Sequence, residues 1–423
     1  MGKLEQPHFG RRLRRLRRER GLSQAAVVGE GMSTGYLSRL ESGERRPTTR
    51  AVAYLAERLG VEVSALTDPL GDLPLNHALA AAASAPTGAN RTASLLRALR
   101  DDTSADPADR WHALWLLSRR DNSNGDYETE RARLRELVEL SDRLAAPELR
   151  TRANVQYAHC LRALGDLRTA EPAAETAWAI AREEELQAAD AMAALMALID
   201  VEAELGRLDA AGRHVRELER DLLPGATAPQ AAEALCTASR VSHRQGDHVT
   251  AQDRLERALG LLNGADDPGL WTRLRTCATA AALAMSPPRL EAARRWLEEA
   301  GKVIELTGTP SQVHELRALS AQLAFHEGRL DDARTLCRAL LSDEDLRLPY
   351  RHRARLLVLE GRLTMLDGRV EDGVALLERL GRQAMDAMNL EVAADVRQSL
   401  TATLAQVRGA APPDTVGSGR KRR

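Results

Sequence analysis

The chain has 423 residues, too many for one compact core and enough for two domains or an array of repeats. Its 60 basic and 61 acidic residues nearly cancel, but residues 1–50 carry a net charge of +7 and the remainder carries −8. Only 3% of the residues are aromatic and Ala and Leu dominate, which favours an all-α protein with closely packed helices. No apolar run approaches the ~18 residues of a membrane span. No secretory leader precedes the basic N-terminus, so we expect a cytoplasmic protein without membrane contact.

The first predicted helix covers about residues 9–20. Phe9, Leu13 and Leu16 recur at the spacing of one buried helix face. The remaining faces carry seven arginines: Arg11, Arg12, Arg14, Arg15, Arg17, Arg18 and Arg20. A charge run is usually a solvated face, but beside a DNA-binding motif we expect these side chains to contact phosphates.

Residues 22–47 predict two short helices joined by a tight turn. Ser23 and Ser33 stand where N-cap residues are expected, one before each helix. The second helix has an inward face of Tyr36, Leu37 and Leu40. Glycines mark the turn between the helices and the end of the second one: Gly29, Gly31 and Gly43. Two helices joined in this way can place the second helix in a DNA major groove.

These residues resemble the Cro/lambda-repressor-like helix-turn-helix family. The likeness lies in Gly21-Leu22-Ser23-Gln24, in Ser33, in Leu37-Ser38-Arg39-Leu40-Glu41-Ser42-Gly43, in Pro47 and in Ala53…Leu59-Gly60-Val61. It covers about residues 9–66, although the turn between the two helices is about one residue shorter than in the usual family pattern. The resemblance implies a DNA-binding domain whose second motif helix reads double-stranded operator DNA.

The candidate DNA-binding residues cluster on and around this second helix. The resemblance implies phosphate contacts from Gln24, Ser33, Tyr36 and Ser42. Thr34 and Gly35 would lie against the groove floor, and Ser38 belongs to the same candidate set. Arg39 has the fork geometry that suits guanine, and Arg45 and Arg46 are further phosphate candidates. Tyr36 could instead pack in the core, Arg39 could pair with Glu41 or Glu44, and specificity could depend on DNA shape.

After residue 66 the composition changes. Residues 67–71 and 85–90 are rich in Pro, Gly and Ser, and they flank an Ala-rich segment that predicts a short helix at about 76–84. We interpret residues 68–91 as a linker with one short helix.

From about residue 92 the sequence repeats itself. A Gly-(Asp/Arg) turn recurs every 40–42 residues, at Gly125, Gly165, Gly206, Gly246, Gly328 and Gly368, with Pro288 in the unit that lacks the glycine. Prolines fall near the starts of first helices: Pro107, Pro147, Pro229, Pro268, Pro310 and Pro349. Seven helix pairs at a fixed period predict a helical solenoid. The phases resemble tetratricopeptide repeats, with a period longer than the usual ~34 residues of that family.

The sequence therefore predicts an all-α fold in four parts. Residues 1–67 form a five-helix helix-turn-helix domain, and residues 68–91 form the linker. Residues 92–408 form a right-handed α-solenoid of about seven tetratricopeptide-like helix pairs, capped by a last helix at about 390–408, that senses a ligand and dimerises. Residues 409–423, rich in Pro and Gly with a basic end, form a disordered tail.

One position of every repeat predicts a ligand site. If the tetratricopeptide register holds, the residue six before each turn faces the inner groove, and six of these seven are polar: Arg119, His159, Asp200, Arg240, Gln322 and Arg362, with Ala282 as the exception. Such a row could bind an extended peptide, and its arginines would suit a carboxylate. An inner face that is simply solvated is the alternative.

No enzymatic or metal chemistry is predicted. The sequence has no nucleophile–base pair, phosphate-binding loop or dinucleotide fingerprint, and His159, His243, His314 and His326 are isolated. The four cysteines, Cys160, Cys236, Cys277 and Cys337, are far apart, each in an apolar helical pattern, which favours buried free thiols over a metal site. We expect no cofactor.

The favoured hypothesis is a bacterial one-component transcription regulator that binds a two-fold operator as a homodimer and responds to a ligand of its repeats. This layout resembles the peptide-sensing quorum-sensing regulators of Gram-positive bacteria, which implies a short signalling peptide. The alternative is a protein-interaction scaffold whose repeats bind a partner protein and tether it to DNA. An RNA-binding repeat protein is a third hypothesis, which the acidic body disfavours.

Overall fold

The computed structural model of the chain describes residues 8–29, 31–67, 75–84, 89–102, 105–264, 267–285 and 287–410. All regular structure in these ranges is helical, so the predicted all-α class is confirmed. The chain divides into two compact units between Leu117 and Ser118, inside the helix Pro107–Asn124. The predicted domain boundaries at residues 67, 91 and 408 stay predictions. Residues 68–74 and 85–88 of the predicted linker, and residues 411–423 of the predicted tail, lie outside the described ranges.

The first unit starts with five short helices, as predicted. The helices of its described residues are α1 (His8–Glu19), α2 (Gln24–Val27), α3 (Thr34–Ser42), α4 (Thr49–Leu59), α5 (Val63–Thr67), α6 (Leu75–Ser84) and α7 (Ala89–Asp101). The Ser23 hydroxyl accepts a hydrogen bond from the amide of Ala26 at 3.1 Å. The Ser33 hydroxyl accepts one from the amide of Tyr36 at 3.2 Å, so both predicted N-caps are confirmed.

Helices α1–α5 enclose one small apolar core, and residues 8–67 are called the head below. Leu13 from α1, Leu37 and Leu40 from α3, and Leu55 from α4 are all inaccessible to solvent. Gly43 ends α3 in the left-handed conformation with φ +83°, which glycine adopts without strain. The core thereby fixes which face of α3 points inward and leaves the opposite face exposed.

The second unit is built from helix pairs. It begins with the end of α8 (Pro107–Asn124), from Ser118 onward, followed by α9 (Tyr127–Leu144). The next pairs are α10 (Pro147–Leu164) with α11 (Leu167–Glu183), α12 (Ala188–Glu204) with α13 (Leu208–Glu217), α14 (Ala228–Arg244) with α15 (His248–Gly260), α16 (Pro268–Ala284) with α17 (Leu290–Thr307), α18 (Pro310–His326) with α19 (Leu330–Leu341), and α20 (Tyr350–Leu366) with α21 (Val370–Asp386). Helix α22 (Leu390–Ala410) follows. After α13 the chain makes a π-helical turn at Leu218–Leu222 and a 3₁₀ turn at Leu223–Gly225. The predicted seven pairs and final helix are confirmed.

Similar turns join the two helices of each pair. Where the turn reads Gly-Asp, the aspartate caps the second helix: Asp126, Asp166 and Asp247 accept hydrogen bonds from amides three residues on. The helices then pack through small residues. Ala158, Ala170, Ala174 and Ala177 are all inaccessible in the cluster that joins the second and third pairs. Small side chains at these contacts allow the close helix approach that the sequence predicts.

The array curves until distant repeats touch. Helix α10 contacts α20, and α12 contacts α22. The Tyr127 and Ser311 hydroxyls, 184 residues apart, are hydrogen-bonded at 3.2 Å. A Cβ on Gly165 would lie 2.6 Å from the ring of Tyr350. First helices of early and late repeats therefore face one another across a narrow space, called the solenoid interior below.

Among the described residues, no helix combines the length and the apolar character that a membrane crossing requires.

Candidate nucleic-acid interface and solenoid interior

The exposed face of α3 carries most of the predicted DNA-binding residues. Leu37, Leu40 and Glu41 point into the head. The opposite side is exposed and consists of Ser33, Thr34, Gly35, Ser38, Arg39 and Ser42. The structure therefore brings these six predicted residues together on one face, small enough at Thr34 and Gly35 for close approach to a groove floor.

Arg39 lies in the middle of this face. Its Nε donates to the carbonyl oxygen of Gly35 at 3.2 Å, so the guanidinium folds back toward the start of α3. The alternative pairing with Glu41 is excluded, because the Glu41 carboxylate is buried and already bound by Arg17 and Gln24. Arg39 therefore presents its guanidinium on the exposed side of the helix.

Glu41 organises the start of α2 as well as α3. Both carboxylate oxygens accept from Arg17, at 2.7 and 2.9 Å, and one also accepts from Gln24 at 2.8 Å. Burial acts to raise the pKa of Glu41, but the hydrogen bonds from Arg17 and Gln24 outweigh it and leave the pKa below its usual value. Gln24, predicted to contact phosphate, is thus held by its amide nitrogen at the N-terminus of α2.

Two of the seven arginines between residues 11 and 20 are not available to phosphates. Arg17 is 8% exposed in its ion pair with Glu41, and Arg12 is 2% exposed. The prediction that the whole run contacts DNA is wrong for these two, because α1 packs that side against the head. Arg11, Arg14, Arg18 and Arg20 are exposed, and Arg15 is half-buried.

The Tyr36 ring packs on the head core and also contacts a basic side chain. The ring is half-buried. The guanidinium of Arg45 lies 4.9 Å from the ring centroid, a cation–π distance. Arg45 and Arg46 are exposed just beyond the end of α3. The ring therefore supports a basic side chain beside the exposed face of α3.

In the solenoid interior, three of the six predicted groove residues lie in one cluster. Asp200 binds Arg240 at 2.5 Å, and on its other side it binds Arg162 at 2.8 Å. Arg162 also binds Glu204 at 2.7 Å. His159 lies within electrostatic reach of Arg162, Asp200 and Arg240. We call these five residues, His159, Arg162, Asp200, Glu204 and Arg240, the interior cluster.

The interior cluster is strongly polarised. Burial acts to raise the pKa of Asp200, but Arg162 and Arg240 outweigh it and hold the pKa far below the usual range. Burial, reinforced by Arg162, lowers the pKa of His159 to about 4. At neutral pH the aspartate is therefore ionised and the histidine is neutral.

A second group of charges faces the cluster from the late repeats, and sequence reasoning missed it. Glu391 from α22 binds Arg244 and, at 3.0 Å, Arg351. Arg355 lies 3.7 Å from the same carboxylate. Glu204 lies within electrostatic reach of both Arg244 and Arg351, which connects this group to the interior cluster. The signal was present as Arg351 and Arg355, one turn apart at the start of α20.

The other three predicted groove residues lie elsewhere. Arg119 is exposed on α8, and Gln322 is half-buried on α18. The Arg362 guanidinium stacks 4.3 Å from the ring centroid of Phe325, and its Nε donates to Thr403 at 3.1 Å. The register of the tetratricopeptide family thus brings the predicted residues together in the second, third and fourth pairs. In the other pairs the residue at the same repeat position does not join this cluster, because the longer repeat changes the pitch of the array.

The four cysteines are free thiols. Cys160, Cys236 and Cys337 are buried as predicted, whereas Cys277 is partly exposed. Among the described residues, no three His, Cys, Asp or Glu side chains form a group that could hold a metal ion.

The geometry defines a helix-turn-helix DNA-binding head on a chain that continues as a helical-repeat array. A protein-family model described as "Helix-turn-helix domain" matches residues 8–70. An uncharacterized HTH-type transcriptional regulator, y4dJ of Sinorhizobium fredii, is 44% identical over 66 residues, which are 15% of this chain and 86% of that protein. The chain belongs to the helix-turn-helix transcriptional regulators. This family is one of regulators and not of enzymes.

Solved structures of similar fold cover the repeats as well. The Rap conjugation gene regulator of the plasmid pLS20, in complex with the Phr* peptide, aligns with a TM-score of 0.52 and 11% identity over 96% of this chain and 99% of its own. The apo quorum sensor NprR from B. thuringiensis aligns at 0.48 and 13%, over 80% and 94%. PlcR of Bacillus thuringiensis, with the peptide PapR7 and DNA, aligns at 0.39 and 12%, over 75% and 98%. The first of these likenesses shows a shared fold.

Proposed function

We propose that this transcription regulator binds operator DNA as a homodimer through α3 and changes its DNA affinity when a short peptide binds in the solenoid interior. The two parts of this proposal have separate support and separate tests. The DNA-binding part is supported by the exposed face of α3, and the ligand-sensing part by the charges of the interior.

The head has the parts that a duplex reader needs. Arg39 presents a guanidinium on the exposed face of α3, and a guanidinium can bind guanine O6 and N7 together. Arg11, Arg14 and Arg18 on α1 and Arg20 just after it, with Arg45 and Arg46, supply exposed positive charge for phosphates. The proposal therefore assigns base reading to Arg39 and sequence-independent affinity to the surrounding arginines.

The substitution Arg39→Ala tests base reading. We expect it to weaken operator binding by about 1–3 kcal/mol and to relax specificity at one base pair. Arg14→Ala is the matched control, since it removes an exposed arginine from α1. It should weaken operator and random duplexes alike and reduce the salt slope of binding by about 1. Fluorescence anisotropy over a salt series measures both, with the operator taken from genome-wide mapping of bound DNA.

Equal losses on operator and random duplexes for Arg39→Ala would contradict its base-reading role.

A homodimer is tested on the same duplexes. A full two-fold operator should bind two chains cooperatively, and a duplex with one half-site should bind much more weakly. Stoichiometric binding of one chain to the full operator would contradict the dimer.

The observation that carries the ligand part is the incomplete neutralisation of interior arginines. Burial, with Arg355 and Arg244 nearby, holds the pKa of Arg351 well below its usual value. Burial lowers the pKa of Arg244 to about 10 even though acidic groups are close. Guanidinium groups stay protonated in proteins, so these charges are held at a free-energy cost that additional negative charge would relieve. A ligand carboxylate in the interior would supply it.

A short peptide fits this description through its terminal carboxylate. The solved structure that shares the fold, the pLS20 regulator, is in complex with a peptide, and we extend that ligand class to this chain. Arg351 and Arg244 are expected to bind the peptide carboxylate in exchange for part of their contact with Glu391. Ligand binding in this interior would thereby change the contacts that hold early and late repeats together.

A peptide library with free C-termini, compared with the same library amidated, tests the ligand part. We expect the free acids to bind and to change operator affinity, and the amides to bind at least about tenfold more weakly, which is ~1.4 kcal/mol. Arg351→Ala should abolish the difference. Arg220→Ala, which removes an arginine from an exposed pair with Asp221 on the same unit, should keep it. Equal binding of acids and amides would contradict a carboxylate ligand.

The scaffold hypothesis predicts a different result. Its repeats would capture a folded partner protein, operator affinity would not change on capture, and no peptide would compete. That outcome would replace the sensing proposal and leave the DNA-binding role of the head intact.

A further inference from the structure

Two thiols of neighbouring repeats meet beside the interior cluster. Cys236 on α14 and Cys277 on α16 are 41 residues apart, one repeat length, and α14 packs against α16. Both thiols belong to one packed group of side chains, and each lies close enough to shift the pKa of the other. Cys236 is 6% exposed among Leu262, Leu270 and Leu274, and Cys277 packs on this group while remaining partly exposed. The pair is thus in contact, with one of its members accessible from solvent.

The charges around the pair favour a thiolate on Cys277. The neighbouring Cys236 thiol lowers the pKa of Cys277 to about 6, against the effect of burial and with the help of Arg240 and Arg351. Glu315 opposes this shift, and Asp200 acts on Cys236. The pKa of Cys236 itself is raised by the neighbouring Cys277 and by burial. At neutral pH Cys277 is therefore a thiolate and Cys236 remains a protonated thiol.

We propose that Cys236 and Cys277 are an oxidisable dithiol that a hydroperoxide converts into an intramolecular disulfide joining α14 to α16. No ligand of the interior is required for this step. The site is a modification site distinct from the DNA-binding face of α3.

The reaction balances in two steps. The Cys277 thiolate attacks the distal peroxide oxygen, the O–O bond breaks, and the departing alkoxide or hydroxide takes a proton. This leaves a sulfenic acid on Cys277. The Cys236 sulfur, losing its proton, then attacks the Cys277 sulfur, and hydroxide leaves as water. Two thiols lose two electrons in total, and the peroxide is reduced by two electrons to an alcohol or water.

The other two cysteines provide an internal contrast. Cys160 donates to the carbonyl oxygen of Tyr127 at 3.3 Å, and Cys337 lies against the carbonyl oxygen of Leu356 at 3.7 Å. Both are buried, and burial raises the pKa of both thiols far above the usual value. They are therefore protonated and shielded, and we expect them not to react.

The test uses the reduced full-length chain and hydrogen peroxide, with catalase to stop the reaction. We expect the number of free thiols to fall from four to two. Peptide mapping without reductant should find Cys236 linked to Cys277 within one chain, while Cys160 and Cys337 remain alkylatable. Four free thiols after oxidation, or a disulfide between two chains, would overturn the proposal.

Single substitutions separate the two roles. Cys236→Ser should stop the reaction at a sulfenic acid on Cys277, trapped by dimedone, and Cys277→Ser should leave Cys236 unoxidised. Cys160→Ser is the matched control and should form the disulfide as the unaltered chain does. Iodoacetamide should alkylate Cys277 with a half-maximal rate near pH 6. Alkylation that rises only above pH 8, or dimedone labelling of Cys236 in Cys277→Ser, would contradict the assigned nucleophile.

Discussion

Glu130 is buried where the other repeats carry a small residue. Five residues after the other six turns stand Ala170, Ala211, Ala251, Ala293, Ala333 and Gly373. The Glu130 side chain is 1% exposed, and its carboxylate accepts from Asn122 at 3.1 Å. Burial raises its pKa from 4.5 to about 7, which the hydrogen bond from Asn122 opposes only in part. The first repeat therefore contains a carboxyl group that is half-ionised at neutral pH.

This carboxyl group makes stability depend on pH. Its pKa is higher in the folded state, so its contribution is complete below about pH 4.5 and is lost as the pH rises through about 7. Glu130→Gln removes the titration and keeps the shape. We expect the variant to be about 1–3 kcal/mol more stable than the unaltered chain at pH 8, and nearly equal to it at pH 4.5. Urea unfolding followed by tryptophan fluorescence at both pH values measures this. If Glu130→Gln stabilised the chain less at pH 8 than at pH 4.5, the raised pKa assigned to Glu130 would be contradicted.

Single residues of the site were predictable where the repeat phase carries the information. His159, Asp200 and Arg240 follow one another at 40–41 residues, so their proximity follows from the period. Cys236 and Cys277 are also one repeat length apart, so their proximity follows from the same period. The burial of Arg17 was not predictable, because no local pattern tells which arginine of a basic helix faces Glu41 on another helix.

At the scale of elements, α1 and α3 approach so closely that only glycine fits between them. A Cβ at Gly10 would overlap the carbonyl oxygen of Leu40 and lie 2.9 Å from that of Glu41. Both atoms belong to the backbone of α3 and cannot rotate away. The orientation of α3 in the head therefore depends on a residue in a different helix.

Gly10→Ala should displace α1 from α3. We expect a loss of about 2–4 kcal/mol in head stability, in the range of an overpacked core, and weaker binding to all duplexes. Gly35→Ala is the control, since a Cβ there meets nothing within 4 Å and alanine favours a helix by about 0.5–1 kcal/mol. Hydrogen exchange of the α3 amides in the full chain should rise for Gly10→Ala and fall or stay constant for Gly35→Ala. Unchanged exchange in Gly10→Ala would show that α1 can shift without loss.

The elements themselves were largely predictable, because their ends carry explicit chemistry. Ser23 and Ser33 cap as expected, Gly43 ends α3, and the Gly-Asp turns divide the pairs. How two helices meet depends on side chains that are distant in sequence, so the α1–α3 contact had no local signal.

At the scale of the second unit, early and late repeats meet through turn glycines. Gly165 has φ +82° and faces the ring of Tyr350, which would lie 2.6 Å from an added Cβ. Gly328 occupies the same turn position with φ +78° and has nothing within 4 Å. The two residues share one backbone conformation and differ in their surroundings.

This difference isolates the contact between distant repeats. Gly328→Ala should cost about 1–2 kcal/mol, the strain of a left-handed residue. Gly165→Ala should cost the same strain and in addition force Tyr350 away, increasing the radius of gyration. Urea unfolding with small-angle X-ray scattering of both variants measures the two effects. Equal stability and equal dimensions for the two variants would mean that the contact contributes nothing.

The period predicts a solenoid with seven pairs, but it does not predict that the array closes. Curvature results from small rotations between neighbouring pairs, set by the volumes of many interface side chains, and these rotations add up over the array. The partners of Glu391 and the surroundings of Arg362 depend on that sum, which explains why the sequence located only the adjacent members of the site.

Closure has an evolutionary consequence. Open repeat proteins gain or lose units readily, because each unit contacts only its neighbours. Here Gly165 opposes Tyr350, and Glu391 reaches Arg244, only at one fixed number of intervening pairs. Duplication or deletion of a single 40-residue unit would therefore separate the partners of every such contact at once. We expect descendants of this chain to diverge by substitution and to conserve their repeat number.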